Sequence, residues 1–273
     1  MKQRIPTRAL AAISLVLCCS TACDQLKARD QLNKGVQSYK SARFEEAISH
    51  FQQAVYLDPS LLNGRLYLAT AYAQQYIPGA DTEDNNLMAE QAIAEFKQVL
   101  DMHPGREQEI GSLKGIASLY FNMHKLDIAK EYHKKVAQLD PNDPETYYSV
   151  GVIDWTQAYQ PDMEERAKLG LRPDEAVRDS RVCAALHARN SEVVQDGLDN
   201  LNKALQLRPD YDDAMAYLNL LFRQKADIEC DAAASAADLK IAQEWVDKTM
   251  AAKKARAERQ PGGSRITLER PSQ

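Results

Sequence analysis

The side chains best suited to chemistry in this 273-residue chain belong to its five cysteines and five histidines. Cys183 and His187 stand four residues apart, a spacing that would put a thiol and an imidazole on one face of a helix. Such a pair can serve as a nucleophile and its base, but the same spacing also describes an ordinary helix surface. His124 and His133 are nine residues apart and do not match the four-residue spacing of a helical zinc site.

Sequence signatures of other catalytic classes do not occur. No Gly-x-x-x-x-Gly-Lys loop is present to cradle a phosphate, and the single Gly-Gly pair lies at 262–263. His50 and His133 fall where helix packing explains them better than metal ligation. We therefore predict no catalytic residue, no metal and no cofactor. The alternative is an enzyme or small-molecule binder built around residues 160–195 and Cys183.

Composition favours a helical protein that does not bind nucleic acid. Hydrophobic residues make up 44% of the chain and charged residues 27%, with only 11 glycines and 11 prolines. This balance predicts an all-α fold. The net charge is −5, and it would be −8 without residues 1–22, which carry three basic residues and no acidic ones. A negative chain of this kind disfavours a nucleic-acid partner.

The first 22 residues have the pattern of an export signal. Lys2, Arg4 and Arg8 precede the stretch Ala9–Leu17, which is apolar except for one serine, and small residues follow at 20–22. That order is typical of a secretory signal peptide. The apolar stretch is about half of the roughly 20 residues that a bilayer span needs. We predict that residues 1–22 are a signal peptide.

The residues at the end of this segment predict a lipid anchor. Ser20-Thr21-Ala22-Cys23 resembles the lipobox of bacterial lipoproteins, although that family usually has leucine where Ser20 stands. The resemblance implies that Cys23 is acylated and holds the chain on a membrane of the cell envelope, facing the periplasm. Asp24 directly follows this cysteine, and in enterobacterial lipoproteins an aspartate at that position resembles an inner-membrane retention signal. Plain secretion and an uncleaved apolar start are the alternatives.

Two cysteines remain after that assignment. Setting aside Cys18, Cys19 and Cys23 leaves Cys183 and Cys230, an even number in a compartment where disulfides persist. A disulfide between them is one interpretation. Two unpaired buried thiols that pack as small hydrophobic side chains are the other.

An internal repeat organises the chain. Residues 44–59 place a small residue, a large one, a second small one and a proline at fixed intervals, the spacing of one helical face that a proline then ends. Each copy follows a segment with a small residue at its centre: Gly35, Ala69, Ala117 or Gly151. The later copies of the spacing are Ala92, Phe96, Val99 and Pro104; Ala129, His133, Val136 and Pro141; and Gly197, Leu201, Ala204 and Pro209.

This pattern resembles the tetratricopeptide repeat family, whose unit is an antiparallel helix pair of 34 residues. In the first copy, Gly35, Ala47, Phe51, Ala54 and Pro59 occupy the family's characteristic positions. The resemblance implies an all-α, right-handed α-solenoid of about five helix pairs, with repeats near 26–59, 62–104, 110–141, 144–209 and 212–252.

The spacing of the closing prolines predicts where the array carries extra residues. Residues 77–86 are polar and turn-rich, which predicts a loop inside the second repeat. We expect an insertion at 160–195 in the fourth repeat, with helix around Asp174 to His187; a whole extra repeat is the alternative. The basic segment 253–273, with a net charge of +4, is predicted to be a disordered tail.

The family's first helices line a concave groove, and the resemblance carries its inward positions onto this chain. Tyr39, Phe121, Tyr148 and Trp155 would form an aromatic line suited to a peptide or protein partner. We therefore expect a non-catalytic interaction scaffold, or in a narrower form an assembly factor for pilus or outer-membrane machinery. The predicted groove residues are Leu32, Val36, Tyr39, Lys40, Asn63, Leu66, Thr70, Lys114, Phe121, Asn122, Tyr148, Val152 and Trp155, with Asp213, Arg223 and Gln224 from the fifth repeat.

Overall fold

The computed structural model describes residues 7–172, 175, 177 and 179–259, with side chains from Cys23 onward. Within these residues the chain forms helices and no strands, as predicted, and it divides into two compact units, Met1–Leu139 and Asp140–Gln273. The helices are α1 (Thr7–Lys40), α2 (Phe44–Leu57), α3 (Leu62–Gln75), α4 (Glu83–Asp101), α5 (Arg106–Asn122), α6 (Leu126–Leu139), α7 (Pro144–Lys168), α8 (Ser180–Leu207), α9 (Asp212–Ile228) and α10 (Ala232–Arg259).

The first unit is a stack of three helical hairpins. α1 pairs with α2, α3 with α4 and α5 with α6, while α2 packs on α3 and α4 on α5. Its core consists of the apolar face of each helix, with Phe51, Tyr72, Phe96 and Ile116 among the buried side chains. Each hairpin buries its apolar face against the next one, which is how helical repeats are stabilised.

The small residues of the repeat lie where two helices approach closely. A Cβ atom at Gly35 would lie 2.4 Å from the Phe51 ring, and one at Gly151 would lie 2.5 Å from Leu201 Cγ. Ala69 and Ala117, at the same place in their hairpins, are fully buried. A Cβ atom does not fit at Gly35 or Gly151 without a shift, and Ala69 and Ala117 leave no exposed surface, so the interpretation of the small residues as tight contacts within each hairpin is confirmed.

The connection inside the second hairpin is shorter than the loop expected at 77–86. α4 already begins at Glu83, because the Thr82 hydroxyl accepts a hydrogen bond from the Asn85 backbone N–H and caps the helix. The buried Asn85 side chain also bonds the backbone of Ile77 and Ala80. Residues 83–86, expected in the loop, therefore form the first turn of α4.

The second unit contains two hairpins, of which the first is unusually long. α7 pairs with α8, α9 with α10, and α9 also packs on both α8 and α7. Residues 160–195 extend this first hairpin: α7 runs on through Pro161 to Lys168, and α8 begins at Ser180. The helix expected around Asp174 to His187 is thus the start of α8. Asp174 itself lies outside the described residues.

Three contacts join the far end of the long hairpin to the end of α9 and the segment that follows it. A disulfide joins Cys183 to Cys230, with Cα atoms 5.8 Å apart. The His187 ring nitrogen Nδ1 lies 3.2 Å from the Ile228 carbonyl oxygen. Arg166 on α7 forms an ion pair with Asp227 on α9. The chain thereby closes a loop across the whole second unit.

The last helix continues into the segment predicted to be a disordered tail. α10 extends to Arg259, and Arg256 forms an ion pair with Asp212 at 2.7 Å while Arg259 lies 3.7 Å from Asp210. These pairs attach the end of α10 to the start of α9. Residues 260–273 lie outside the described part of the chain. Among the helices that the structure describes, none is long and apolar enough to span a bilayer.

Candidate partner-binding surface

Four aromatic side chains of the second unit lie in contact and form a surface that we call the aromatic row: Tyr148, Trp155 and Tyr159 on α7, and Tyr217 on α9. The Tyr217 ring lies 5.6 Å from the rings of both Tyr148 and Trp155, edge to face, and Trp155 stacks on Tyr159 at 4.9 Å. The helical spacing of the three α7 residues places them on one face. The row therefore links the first helices of neighbouring hairpins.

The rings pack on the core of the second unit. Tyr148, Trp155 and Tyr217 are partly buried and pack against a cluster that includes Leu201, Leu218 and Leu221. Tyr159, at the end of the row, is 37% exposed. One side of the row is thus fixed by packing while the other faces outward. Such a surface is already ordered before anything binds to it, which lowers the entropic cost of binding.

A polar group closes the end of the row where α7 and α9 begin. Glu145 accepts hydrogen bonds from Arg208, at 2.7 Å, and from the Tyr211 hydroxyl. The Arg208 guanidinium also lies 4.3 Å from the centre of the Tyr211 ring, and Tyr211 is 5.0 Å from Tyr148. Burial opposes ionisation of Glu145, but the two hydrogen bonds outweigh it and lower the pKa of its carboxyl.

The hydroxyls of Tyr148 and Tyr217 remain protonated. Burial is the largest cause that raises the pKa of Tyr148 to about 12, and the nearby Tyr217, Asp213 and Glu145 add to it. The pKa of Tyr217 is raised by burial first and then by Asp213. The row thus presents hydroxyl groups that can donate and accept hydrogen bonds, next to negative carboxylates.

The groove residues predicted in the first unit are mostly engaged in its own packing. Leu32, Val36 and Leu66 pack partly against its core, and the Tyr39 ring contacts Phe44 edge to face at 5.3 Å. Lys40 and Asn63 are exposed, whereas Thr70, Lys114, Phe121 and Asn122 are half-buried. The Thr70 hydroxyl donates to the Leu66 carbonyl oxygen, and the Asn122 carbonyl oxygen accepts from Tyr76.

In the second unit, the structure brings two of the predicted groove residues together and departs from prediction at a third. Tyr148 and Trp155 meet through Tyr217, and Val152 lies half-buried between them on α7. Gln224, expected in the groove, is only 2% exposed and lies in the interior. Because α9 packs against both α8 and α7, more of its circumference is covered than a position rule for one helix anticipates.

Sequence reasoning missed Tyr217 and Tyr159. Tyr217 belongs to the row because α9 packs directly on α7, a contact that no pattern within one helix reveals. Tyr159 lies beyond the length of an ordinary repeat helix and joins the row because α7 continues past that length. The usable signal for Tyr159 was its spacing of four residues from Trp155, which places both on one helical face.

The catalytic alternative around residues 160–195 loses its nucleophile. Cys183 is in a disulfide, so it has no thiol to pair with His187, and the hypothesis of a reactive Cys–His pair is wrong. A shallow depression of about 300 Å³ lies along this hairpin, lined by Glu165, Arg181, Arg189 and apolar side chains. Within the described residues, no three histidine, cysteine, aspartate or glutamate side chains are grouped closely enough to hold a metal ion.

Comparison with known proteins identifies two of the repeats and structures of similar fold. Residues 32–61 and 115–143 match the family model described as tetratricopeptide repeat. No curated protein matches the sequence. A crystal structure of the MamA protein resembles this chain with a TM-score of 0.58 at 12% identity, covering 87% of this chain and 98% of that one.

Two further solved structures show the same likeness. MamA residues 41 to the end, from Desulfovibrio magneticus RS-1, gives a TM-score of 0.57 at 16% identity over 84% of this chain and 97% of that one. YrrB, described as a TPR protein with an unusual peptide-binding site, gives 0.51 at 13% over 84% and 91%. The chain therefore contains tetratricopeptide repeats and has an all-α fold of the solenoid type.

Proposed function

We propose that this protein is a non-catalytic scaffold, anchored by lipid at Cys23 in the cell envelope, that binds a peptide or protein partner along the aromatic row. The observation that carries the proposal is the row itself: four contacting aromatic side chains that are half-exposed on the first helices of two hairpins. Residues with a large apolar face and a polar tip dominate the binding energy of protein interfaces.

The similarity to solved structures supports a function in binding peptides or proteins. YrrB is a TPR protein with a peptide-binding site by its own description, and its fold resembles that of this chain. The disulfide and the absence of a free thiol at Cys183 argue against chemistry in the long hairpin. A rigid aromatic surface without a nucleophile is suited to recognition and not to turnover.

Two features support attachment to the envelope. The basic, apolar and small residues before Cys23 have the order of a lipoprotein signal, and Cys23 is an exposed, unpaired cysteine on α1. The Cys183–Cys230 disulfide is of the kind that persists in an oxidising compartment outside the cytosol. Several acyl chains on one cysteine would make the attachment effectively permanent.

Photo-crosslinking in cells tests the binding surface. A benzophenone side chain placed at Trp155 is expected to capture one or a few discrete proteins, whereas the same probe at Lys248 on the outer helix α10 captures none of them. Replacing Tyr217 with alanine in the Trp155 probe strain should weaken the crosslinks, because it removes the ring that joins α7 to α9. Capture from Lys248 but not from Trp155 would place the binding surface elsewhere.

Metabolic labelling tests the anchor. Cells fed a palmitate analogue should incorporate it into the native protein and not into a Cys23→Ser variant, and the variant should move from the membrane fraction to the soluble fraction. A Cys19→Ser variant serves as the matched control and should be labelled normally. Equal labelling and equal membrane association of the native protein and Cys23→Ser would refute the anchor.

A further inference from the structure

An exposed carboxylate stands beside the aromatic row without an ion-pair partner. Asp213 lies one helical turn before Tyr217 on α9, and its charge helps to raise the pKa of Tyr217 and Tyr148, although burial is the larger cause for both. Asp213 makes no hydrogen bond or ion pair with any residue that the structure describes. Its charge is therefore available to a molecule bound on the row.

At the same end of the row, the protein itself places a cation between a tyrosine ring and a carboxylate. Arg208 lies over the face of the Tyr211 ring at 4.3 Å and donates to Glu145 at 2.7 Å. A guanidinium is thus held between a ring and a carboxylate, which combines cation–π attraction with a charge-assisted hydrogen bond. Asp213 with Tyr148 and Tyr217 offers the same two kinds of group, but no cation among the residues that the structure describes is paired with Asp213.

Positive groups near the row are already engaged. Arg208 is paired with Glu145, and Arg223, further along α9, donates to the Asn219 side chain at 3.0 Å and partly opposes the burial that raises the pKa of Asp227. Arg256 and Arg259 on α10 pair with Asp212 and Asp210 at the start of α9. Residues 23–259 carry a net charge of −9. The exposed Asp213 carboxylate therefore adds an unpaired negative charge beside the row, which favours a basic partner and repels an acidic one.

Resting on the proposed function, we infer that the segment bound along the aromatic row is a basic peptide segment, with an arginine or lysine side chain seated between the Asp213 carboxylate and the rings of Tyr148 and Tyr217. The carboxylate neutralises the cation, the ring faces attract it, and the tyrosine oxygens accept its hydrogen bonds. Arginine fits better than lysine because its planar guanidinium also stacks on aromatic rings. Apolar side chains beside the cation then pack on Trp155 and Tyr159.

Peptide titration of the full chain in detergent tests this inference. The chain has two tryptophans, so a Trp245→Phe variant leaves Trp155 as the only tryptophan reporter on the row. The probes are three mixtures of peptides of about twelve residues that differ only at a fixed central position: arginine, its uncharged isostere citrulline, or glutamate. We expect the arginine mixture to bind about tenfold more tightly than the citrulline mixture, and the glutamate mixture to bind weakest.

The Asp213→Asn substitution assigns the effect to this carboxylate. It should reduce the preference for arginine over citrulline to about twofold or less. Asp247→Asn removes the same charge on the exposed face of α10 and should leave the preference unchanged. Helical circular dichroism of each variant shows that the fold is kept, because Asp213 also lies in the first turn of α9, where a negative charge favours the helix.

The outcomes separate this inference from the proposed function. Equal binding of the arginine and citrulline mixtures, or tighter binding of the glutamate mixture, overturns the basic-segment inference. A partner that crosslinks through position 155 by an uncharged or acidic segment has the same consequence, while the scaffold function stands. Failure to capture any protein through position 155 would instead remove the proposed function itself.

Discussion

The guanidinium of Arg166 on α7 lies 3.1 Å from the carboxylate of Asp227 on α9 and 3.0 Å from that of Asp162, one turn earlier on its own helix. Arg166 and Asp162 are almost completely buried, and Arg166 also donates to the Glu175 carbonyl oxygen in the connection to α8. Two carboxylates thus share one cation. The imbalance leaves a net negative charge inside the second unit.

This arrangement predicts a dependence of stability on pH. Burial is the largest cause that raises the pKa of Asp227 from 3.8 to about 6; Arg166 lowers it and Asp162 raises it. The folded protein therefore keeps this proton up to about pH 6, whereas the unfolded chain releases it near pH 4. As the pH rises from about 4 to about 6, the free energy of unfolding should therefore decrease. Asp227 is partly exposed and solvent screens its charge, so the decrease should be on the order of 1 kcal/mol.

Thermal melts of the native protein and of Asp227→Asn between pH 4 and 7 measure this effect. The neutral variant lacks the titration, so the difference in melting temperature between the two proteins should change across that window and then level off. Asp247→Asn, at an exposed site, should follow the native protein at every pH. Parallel curves for native and Asp227→Asn would show that Asp227 titrates normally.

Removal of the Arg166 cation should lower the stability more than titration of Asp227 does. Arg166→Met leaves Asp162 buried without its countercharge, and breaking a buried pair in this way typically costs about 3–5 kcal/mol. Urea unfolding followed by tryptophan emission reports on this unit, because Trp155 and Trp245 both lie in it. Lys168→Met, two residues on and exposed, is the control and should leave the unfolding midpoint nearly unchanged.

The disulfide should stabilise the second unit substantially. Its cysteines are 47 residues apart, and closing a loop of that length in the unfolded chain corresponds to about 4 kcal/mol in the chain-entropy model. A Cys183→Ala, Cys230→Ala double variant should therefore unfold at lower urea concentration than the native protein. Reductant should shift the native protein in the same direction and leave the double variant unchanged; identical curves with and without reductant would contradict the prediction.

Glycine substitutions should separate helix propensity from packing. A Cβ at Gly151 would lie 2.5 Å from Leu201 Cγ and 3.3 Å from the Gly197 carbonyl oxygen, so Gly151→Ala should destabilise by about 1–3 kcal/mol. Gly111 on α5 has no atom within 4 Å of its Cβ position. Gly111→Ala should instead stabilise by about 0.5–1 kcal/mol, since alanine is the better helix former. Circular dichroism during urea unfolding measures both, and equal effects would refute the steric explanation.

The repeat could be predicted from the sequence because its signal is local. Phe51 and Gly35 fill one crossing, and the same sizes recur in each hairpin, so the pattern specifies both the helices and their pairing. The extension of α7 past Pro161 could not be predicted in this way. Buried Asp162 and Arg166 hold that helix against partners from α9 and the connection, which are distant in sequence.

The aromatic row, too, could be predicted from the sequence only in part. Tyr148 and Trp155 follow from the repeat register of α7 alone, whereas Tyr217 requires knowledge of how closely α9 approaches. Asp213 was assigned by position, but its lack of a counterion becomes visible only when the arginines of this unit are seen in their pairs. Charge balance depends on the whole unit and not on any local pattern.

Among the described side chains of α1, which begin at Cys23, the first that is fully buried is Ala28, five residues further on, and the helix is continuous between them. At about 1.5 Å per helical residue, this separates the proposed acyl chains from the packed domain by less than about 10 Å. A tether so short gives the domain almost no reach away from the lipid headgroups. With Cys23 acylated as proposed, a partner would have to come to the bilayer surface, and lengthening the sequence between Asp24 and Ala28 would extend the distance from the membrane at which the two can meet.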